Sequence, residues 1–165
     1  MSIKENIAYI RAQIDEAARA TGRTGADITL VGASKMNDAA ACQEAIAAGI
    51  DVLGENRVQE MTEKLGQNAY DGAPLHFIGH LQRNKVKLII ESVGLIHSLD
   101  NMALALEIDK QAGKVGRRVP VLIEINSARE EQKDGILPEE AEEFFLKVRE
   151  LPNISVAGLM TMGPV

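Results

Sequence analysis

The sequence predicts an α/β fold with a parallel sheet, and three observations support that expectation. Short apolar runs recur along the chain, polar residues follow each run, and segments with helical periodicity lie between the runs. A chain reaches the next parallel strand only through a crossover, usually a helix, so this alternation favours βα units over hairpins. The predicted strands are 28–34, 51–54, 75–79, 95–97, 119–125 and 155–159.

The first helix is predicted before the first strand, where Ile3, Ile7 and Ile10 recur at spacings of four and three residues. Ser2 and Glu5 match a capping box, in which each side chain binds a backbone amide near the other residue. Further helices are predicted at 37–48, 57–67, 81–92, 101–112 and from 138 onward. Glycines 49, 94 and 113 are placed to end three of them.

Two architectures contain a sheet of this kind, the doubly wound sheet and the (β/α)8 TIM-type barrel. A doubly wound nucleotide-binding sheet normally has a glycine-rich loop after its first strand, and residues 32–35 do not match that loop. We therefore expect a barrel with about six of its eight βα units. In a barrel the site forms where the strands end. The residues at the predicted strand ends are Lys35, Asn56, His80, Ser98, Asn126 and Met160.

The length of 165 residues fits a single domain, 1–165, with one core. The 24 acidic and 18 basic residues give a net charge of -6, which works against nucleic-acid or anionic membrane partners. The single cysteine, Cys42, is expected to be a buried thiol in a reducing compartment. No run approaches the roughly 18 apolar residues of a membrane span, and the N-terminus lacks the pattern of a signal peptide, so a cytoplasmic location is expected.

Several motifs in the sequence carry a resemblance to a known family. They are Ser34-Lys35, 54–60 (GENRVQE), 76–85 (HFIGHLQRNK), 97–100 (HSLD) and 158–161 (GLMT). In content, order and spacing these motifs resemble the pyridoxal-phosphate-binding homeostasis proteins, often called the YggS or PROSC family. That family is similar to the barrel of the alanine racemase N-terminal domain, so the resemblance implies the same barrel here.

The resemblance also implies a cofactor and its site. Lys35 would bind pyridoxal 5′-phosphate as a Schiff base, the internal aldimine, with Asn56, His80 and Met160 lining the pocket. Only an unprotonated amine attacks an aldehyde, and partial burial of Lys35 is expected to favour that form. Each residue also has a structural interpretation: Lys35 as a solvated lysine, Asn56 as a helix cap, His80 as a strand terminus and Met160 as core.

No metal site is expected from the sequence. His76 and His80 lie four residues apart along a predicted strand, which separates their side chains by roughly 13 Å. One ion cannot bridge that distance. The basic residues Arg83, Lys85 and Lys87 are interpreted as a solvated helix face, because aromatic residues are not interleaved with them.

Two departures from the family pattern qualify these expectations. Residues 126–130 read Asn-Ser-Ala-Arg-Glu where the family commonly has Asn-x-Ser-Gly-Glu. The sequence also stops after the sixth predicted strand, whereas the family holds the cofactor phosphate with loops after strands seven and eight. We therefore expect either a fragment of a longer protein or self-association through open sheet edges, with weakened retention of the cofactor.

Three functional hypotheses follow. The first is a protein that binds pyridoxal 5′-phosphate and serves intracellular homeostasis of that cofactor without catalytic turnover, as the resemblance implies. The second is a Schiff-base or pyridoxal-phosphate-dependent enzyme of aldolase or racemase type. A racemase needs a second acid-base tyrosine, and neither Tyr9 nor Tyr70 follows a predicted strand. The third is a barrel fragment unable to bind the cofactor.

Overall fold

The computed structural model describes residues 2–163, and its elements alternate as the sequence predicts. The helices are α1 (Ile3–Ala20), α2 (Ala39–Ala47), α3 (Val58–Leu65), α4 (Val86–Ile89), α5 (Met102–Lys114) and α6 (Ala141–Val148). The strands are β1 (Val31–Ala33), β2 (Val52–Glu55), β3 (Leu75–Phe77), β4 (Leu95–Leu99), β5 (Val119–Ile125) and β6 (Ile154–Thr161). Short 3₁₀ turns precede β1, α4 and α6.

The six strands form one parallel sheet in the order β1-β2-β3-β4-β5-β6. Every strand therefore lies beside its neighbour in sequence. This consecutive order is that of a singly wound barrel, whereas a doubly wound sheet reverses its direction part-way. The predicted α/β barrel with about six βα units is thus confirmed, and β1 and β6 are the edges of the sheet that the structure describes.

The core lies between the sheet and the helices. In β5 the residues Val119, Val121 and Ile123 are fully buried, while Pro120 and Leu122 between them are only half-buried. This period of two means that one face of the sheet packs under the helices and the other faces the barrel interior. Each large apolar side chain in the buried layer contributes roughly 1.5–3 kcal/mol. No helix among residues 2–163 is long and apolar enough to cross a membrane.

The predicted helix starts are confirmed more often than the predicted ends. The Ser2–Glu5 capping box is present, and Gly49, at a φ of 88°, ends α2 as expected. The prediction for Gly113 is wrong, because α5 continues through it and a turn with Gly116 at a φ of 66° follows. Gly94 does not end a helix either, since α4 is short and stops well before it.

Candidate functional site

The predicted site residues lie at the carboxyl ends of their strands, which together form the rim of the barrel. Lys35 comes two residues after β1, Asn56 directly after β2, and His80 three residues after β3. Met160 is inside β6, paired in register with Glu124 of β5. Because β1 and β6 are the two edge strands of the sheet, four strands lie between the strand that precedes Lys35 and the strand that contains Met160.

Asn56 is held in place by its backbone. Glu55 faces the helix layer, where it bonds to Lys64 of α3, and Asn56 follows it directly at the end of β2. Gly79 packs against it so closely that a Cβ there would lie 2.2 Å from the Asn56 carbonyl oxygen. The Oδ1 atom of Asn56 is buried and has no hydrogen-bond partner within residues 2–163. The site thus offers one unsatisfied acceptor to a ligand.

Asn56 and His80 come together in one cavity of about 400 Å³. Arg57 and Lys85 also line this cavity and give it two positive charges, and its remaining wall is formed by residues of α3 and of the segment around α4. The structure therefore places two of the four predicted site residues, Asn56 and His80, on the wall of one cavity, and Lys35 and Met160 are not part of that wall.

Lys35 sits in the turn that joins β1 to α2. The expectation that its side chain is partly buried is wrong, because Lys35 is exposed. Its carbonyl oxygen accepts a hydrogen bond from Asn37 Nδ2 at 3.1 Å. The next residue, Met36, has a φ of 62°, in the left-handed region that non-glycine residues rarely occupy. The backbone thus changes direction sharply just after the lysine.

Behind this turn lies a buried polar cluster that the sequence did not reveal. Glu55 is fully buried, and its Oε2 accepts hydrogen bonds from Ser34 Oγ at 2.9 Å, Lys64 Nζ at 2.7 Å and Tyr70 Oη at 3.0 Å. Burial alone would lower the pKa of Lys64, but the hydrogen bond and charge of Glu55 outweigh it and raise that pKa. Burial and the nearby Glu55 both raise the pKa of Tyr70. The lysine is therefore charged and the tyrosine neutral.

A second cluster of titratable groups lies in the loops that follow β3, β4 and β5. His80 Nδ1 lies 3.2 Å from Asp134 Oδ2, and the ligand atoms of His80, Asp100 and Asp134 lie within 4.8 Å of one another. One divalent ion could span that spacing, although more than half of the His80 and Asp134 side chains is exposed. Burial, followed by the charges of Asp100 and Asp134, raises the pKa of Glu124 to about 7.

His76 does not approach His80 but pairs with His97 on β4, with a distance of 3.0 Å between His76 Nδ1 and His97 Nε2. Burial, with a smaller effect of His97, lowers the pKa of His76 to about 4. Burial also lowers the pKa of His97. Both rings are therefore neutral at pH 7, and one donates to the other.

Two further residues at predicted strand ends, Asn126 and Ser98, are enclosed by the protein's own atoms. Asn126 organises the loop after β5: its Nδ2 donates to the carbonyls of Glu130 and Lys133, and its Oδ1 accepts from the Glu130 amide. Ser98 is buried within β4, and its Oγ has no hydrogen-bond partner among the residues that the structure describes. The side-chain amide of Asn126 is therefore engaged by backbone atoms of the loop that it shapes.

Comparison with known proteins gives the family. The model of the alanine racemase N-terminal domain matches residues 2–165. A pyridoxal phosphate homeostasis protein of Aquifex aeolicus is 42% identical over 164 residues, which are 99% of this chain and 72% of that protein. The chain belongs to the pyridoxal phosphate homeostasis protein family. The resemblance seen in the motifs is thus confirmed.

Solved structures of similar proteins agree with this family and fold. The crystal structure of an unknown protein from Bifidobacterium adolescentis is 34% identical with a TM-score of 0.91, covering 98% of this chain and 69% of that one. PipY of Synechococcus elongatus, whose structure has PLP bound, is 30% identical with a TM-score of 0.82, covering 99% of this chain and 72% of that one. The family's barrel is therefore the fold of this chain.

Proposed function

We propose that this chain binds pyridoxal 5′-phosphate (PLP) and takes part in intracellular homeostasis of that cofactor, with Lys35 attaching it as a Schiff base. The observation that carries the proposal is the position of Lys35 at the carboxyl end of β1, on the rim of a barrel whose relative PipY was solved with PLP bound. Amine-bearing side chains at this end of a barrel are placed for chemistry.

The residues at the rim fit such a group. Leaving a buried acceptor unpaired costs roughly 1–3 kcal/mol, so the Oδ1 of Asn56 favours a ligand that brings a hydroxyl or N–H donor. His80 supplies an imidazole oriented by Asp134. Met160 supplies a half-buried thioether on β6, where a polarisable side chain suits contact with an aromatic ring. These three residues are the proposed non-covalent contacts.

The chemistry depends on one amine. When bound, PLP supplies an aldehyde that condenses with primary amines. Lys35 would supply the primary amine for that condensation, in which the two amine protons leave with the aldehyde oxygen as water. Because Lys35 is exposed at the rim, its amine is accessible to an aldehyde that arrives from solvent.

A racemase function is not favoured by the positions of the tyrosines. Tyr70 is buried between the sheet and the helices and donates to Glu55, and Tyr9 is 56% exposed on α1. Neither residue follows the carboxyl end of a strand, and the Tyr70 hydroxyl is engaged by the buried Glu55, so neither tyrosine is placed as a free acid-base group. We therefore propose cofactor binding without turnover.

The test is a titration of the purified chain with PLP, followed by visible spectroscopy, borohydride reduction and peptide mass spectrometry. PLP adds slowly to many exposed lysines, so the Lys35→Ala variant is compared with a Lys114→Ala control, in which an exposed lysine at the end of α5 is removed. We expect substoichiometric PLP to label Lys35 in the wild type and in the control. Equal labelling of Lys35 and Lys114 in the folded protein would refute the proposal.

The proposal extends to the domain organisation, location and partners of the protein. One continuous hydrophobic cluster spans the sheet and helices, which supports a single domain. The buried, unpaired Cys42 supports a reducing, cytoplasmic location. The net charge of -6 supports the absence of a nucleic-acid partner. Because β1 and β6 each have one strand neighbour among the described residues, their outer edges are the proposed surface for self-association.

A further inference from the structure

The two peptide groups on either side of Lys35 are both bound by side chains of α3. Lys64 Nζ donates to the carbonyl oxygen of Ser34 at 2.7 Å, and the amide of Met36 donates to Glu60 Oε2 at 2.9 Å. These bonds reach across 30 and 24 residues of sequence. The backbone that carries the lysine is therefore fixed from outside its own turn.

The α3 side chains that hold the turn are themselves coupled. Lys64 Nζ lies 2.7 Å from Glu55 Oε2 and 3.4 Å from Glu60 Oε2, so with the Ser34 carbonyl it has three acceptors. The ammonium group has three protons to donate. The pKa of Glu60 is lowered mainly by the hydrogen bond from the Met36 amide, and Lys64 lowers it further. Charge-assisted bonds of this kind are the strong ones in proteins.

A purely stabilising function explains this arrangement poorly. Placing an ion pair in a protein interior removes water from both charges, and apolar residues of similar volume often stabilise a fold equally well. Lys64 is 7% exposed and Glu55 is fully buried. In return, the bonds hold Met36 at its φ of 62°, a conformation that such a residue adopts only when its surroundings enforce it.

We propose that Glu60 and Lys64 are positioning residues, which bind the peptide groups flanking Lys35 and so set the direction in which its side chain leaves the rim. This inference rests on the proposed attachment of PLP to Lys35. Neither residue touches the cofactor in this scheme. Their effect is on the fraction of time that the amine spends in reach of a bulky aldehyde.

The test compares the reactions of two aldehydes of different size with the wild type and with the Glu60→Ala variant. Formaldehyde needs no particular approach, whereas PLP has to enter the rim. With borohydride trapping, we expect Glu60→Ala to lower the rate of PLP addition at Lys35 on the order of tenfold, while formaldehyde addition there changes less than about twofold. The conservative Glu60→Gln variant keeps an acceptor oxygen and should recover most of the PLP rate.

Two controls separate positioning from general damage. Glu63→Ala removes an exposed carboxylate from the same helix and should leave the PLP rate at Lys35 unchanged. Hydrogen exchange at the Met36 amide should accelerate at least tenfold in Glu60→Ala, since its acceptor is removed. Unchanged PLP addition in Glu60→Ala, or parallel loss of both aldehyde reactions, would overturn the inference.

The failure of the proposed function gives a different result. If PLP labels Lys35 of the wild type no faster than it labels Lys114, the proposed function is wrong whatever the variants do. Exchange at Met36 still decides whether Glu60 holds the turn in that case, because the measurement needs no cofactor. Retained protection of that amide in Glu60→Ala would then reject the positioning function as well.

Discussion

Glu124 offers a sharp test of how the rim electrostatics affect stability. Its side chain lies in the barrel interior beside β6, the residue is 9% exposed, and the carboxylates of Asp100 and Asp134 lie nearby. Burial and these two charges raise its pKa from 4.5 to about 7. The perturbation is Glu124→Gln, which keeps the shape of the side chain and removes the charge.

The direction and size of the stability change in Glu124→Gln follow from proton binding by Glu124. Between pH 4.5 and 7 the folded protein retains a proton that Glu124 has lost in the unfolded chain, so the stability contributed by this group falls as pH rises through that window. The gap between the two pKa values corresponds to roughly 3 kcal/mol above pH 7. We expect Glu124→Gln to be more stable than wild type by up to about 3 kcal/mol at pH 8 and equally stable at pH 4.

His76 changes the stability of the fold with pH in the opposite direction to Glu124. Its pKa of about 4 in the folded state lies below the ordinary value of 6.5, so the stability it contributes is present above pH 6.5 and is lost as pH falls toward 4. Between pH 4.5 and 6.5 this rise of stability with pH opposes the fall caused by Glu124, and His97, whose pKa burial also lowers, adds to the rise. The stability of Glu124→Gln should therefore rise more steeply with pH in that range than the stability of the wild type.

Urea unfolding at unit steps from pH 4 to pH 8, followed by circular dichroism, measures this difference. Glu16→Gln, an exposed carboxylate on α1, is the matched control. A constant difference between Glu124→Gln and wild type at every pH would refute the reasoning, because it would assign the effect to packing. So would a Glu124→Gln protein that is no more stable than wild type at pH 8.

Three further outcomes are expected. Gly79→Ala should destabilise the fold by at least about 2 kcal/mol, because its Cβ would meet the Asn56 backbone, whereas Gly158→Ala, with ordinary contact at 3.5 Å, should change stability little in the same denaturation assay. Asn126→Ala removes three hydrogen bonds from the loop after β5 and should speed tryptic cleavage there by at least fivefold, or about 1 kcal/mol of local opening. The His76 ring should titrate near pH 4 by NMR, and a midpoint near 6.5 would contradict its burial.

The alternation of strands and helices was predictable because each element carries a local pattern. The apolar run 119–125 matches β5 residue for residue, and the Ser2 cap starts α1 as predicted. Gly113 misled the prediction for a tertiary reason. A Cβ at Gly113 would lie 2.8 Å from Asn153 Nδ2, so the glycine permits close packing inside α5 instead of ending it.

The site was only partly predictable. Two independent signals singled out Lys35 and Asn56, their positions after predicted strands and their place in motifs of the family. The bonds from Glu60 and Lys64 to the turn were not predictable, because helical periodicity shows that side chains share a face without showing which backbone atoms they meet. Asp134 lies in a loop whose path depends on Asn126, so its approach to His80 follows from tertiary structure alone.

The short length of β1 has a consequence for how the protein fails under stress. β1 has three residues and one strand neighbour among the described residues, whereas β5 and β6 have seven and eight residues and pair along most of their length. Local stability is lowest where buried contacts and ladder bonds are few. Mild warming should therefore loosen β1 before the longer strands while most helices persist, and the bonds from Glu60 and Lys64 then remain as anchors of the Lys35 turn.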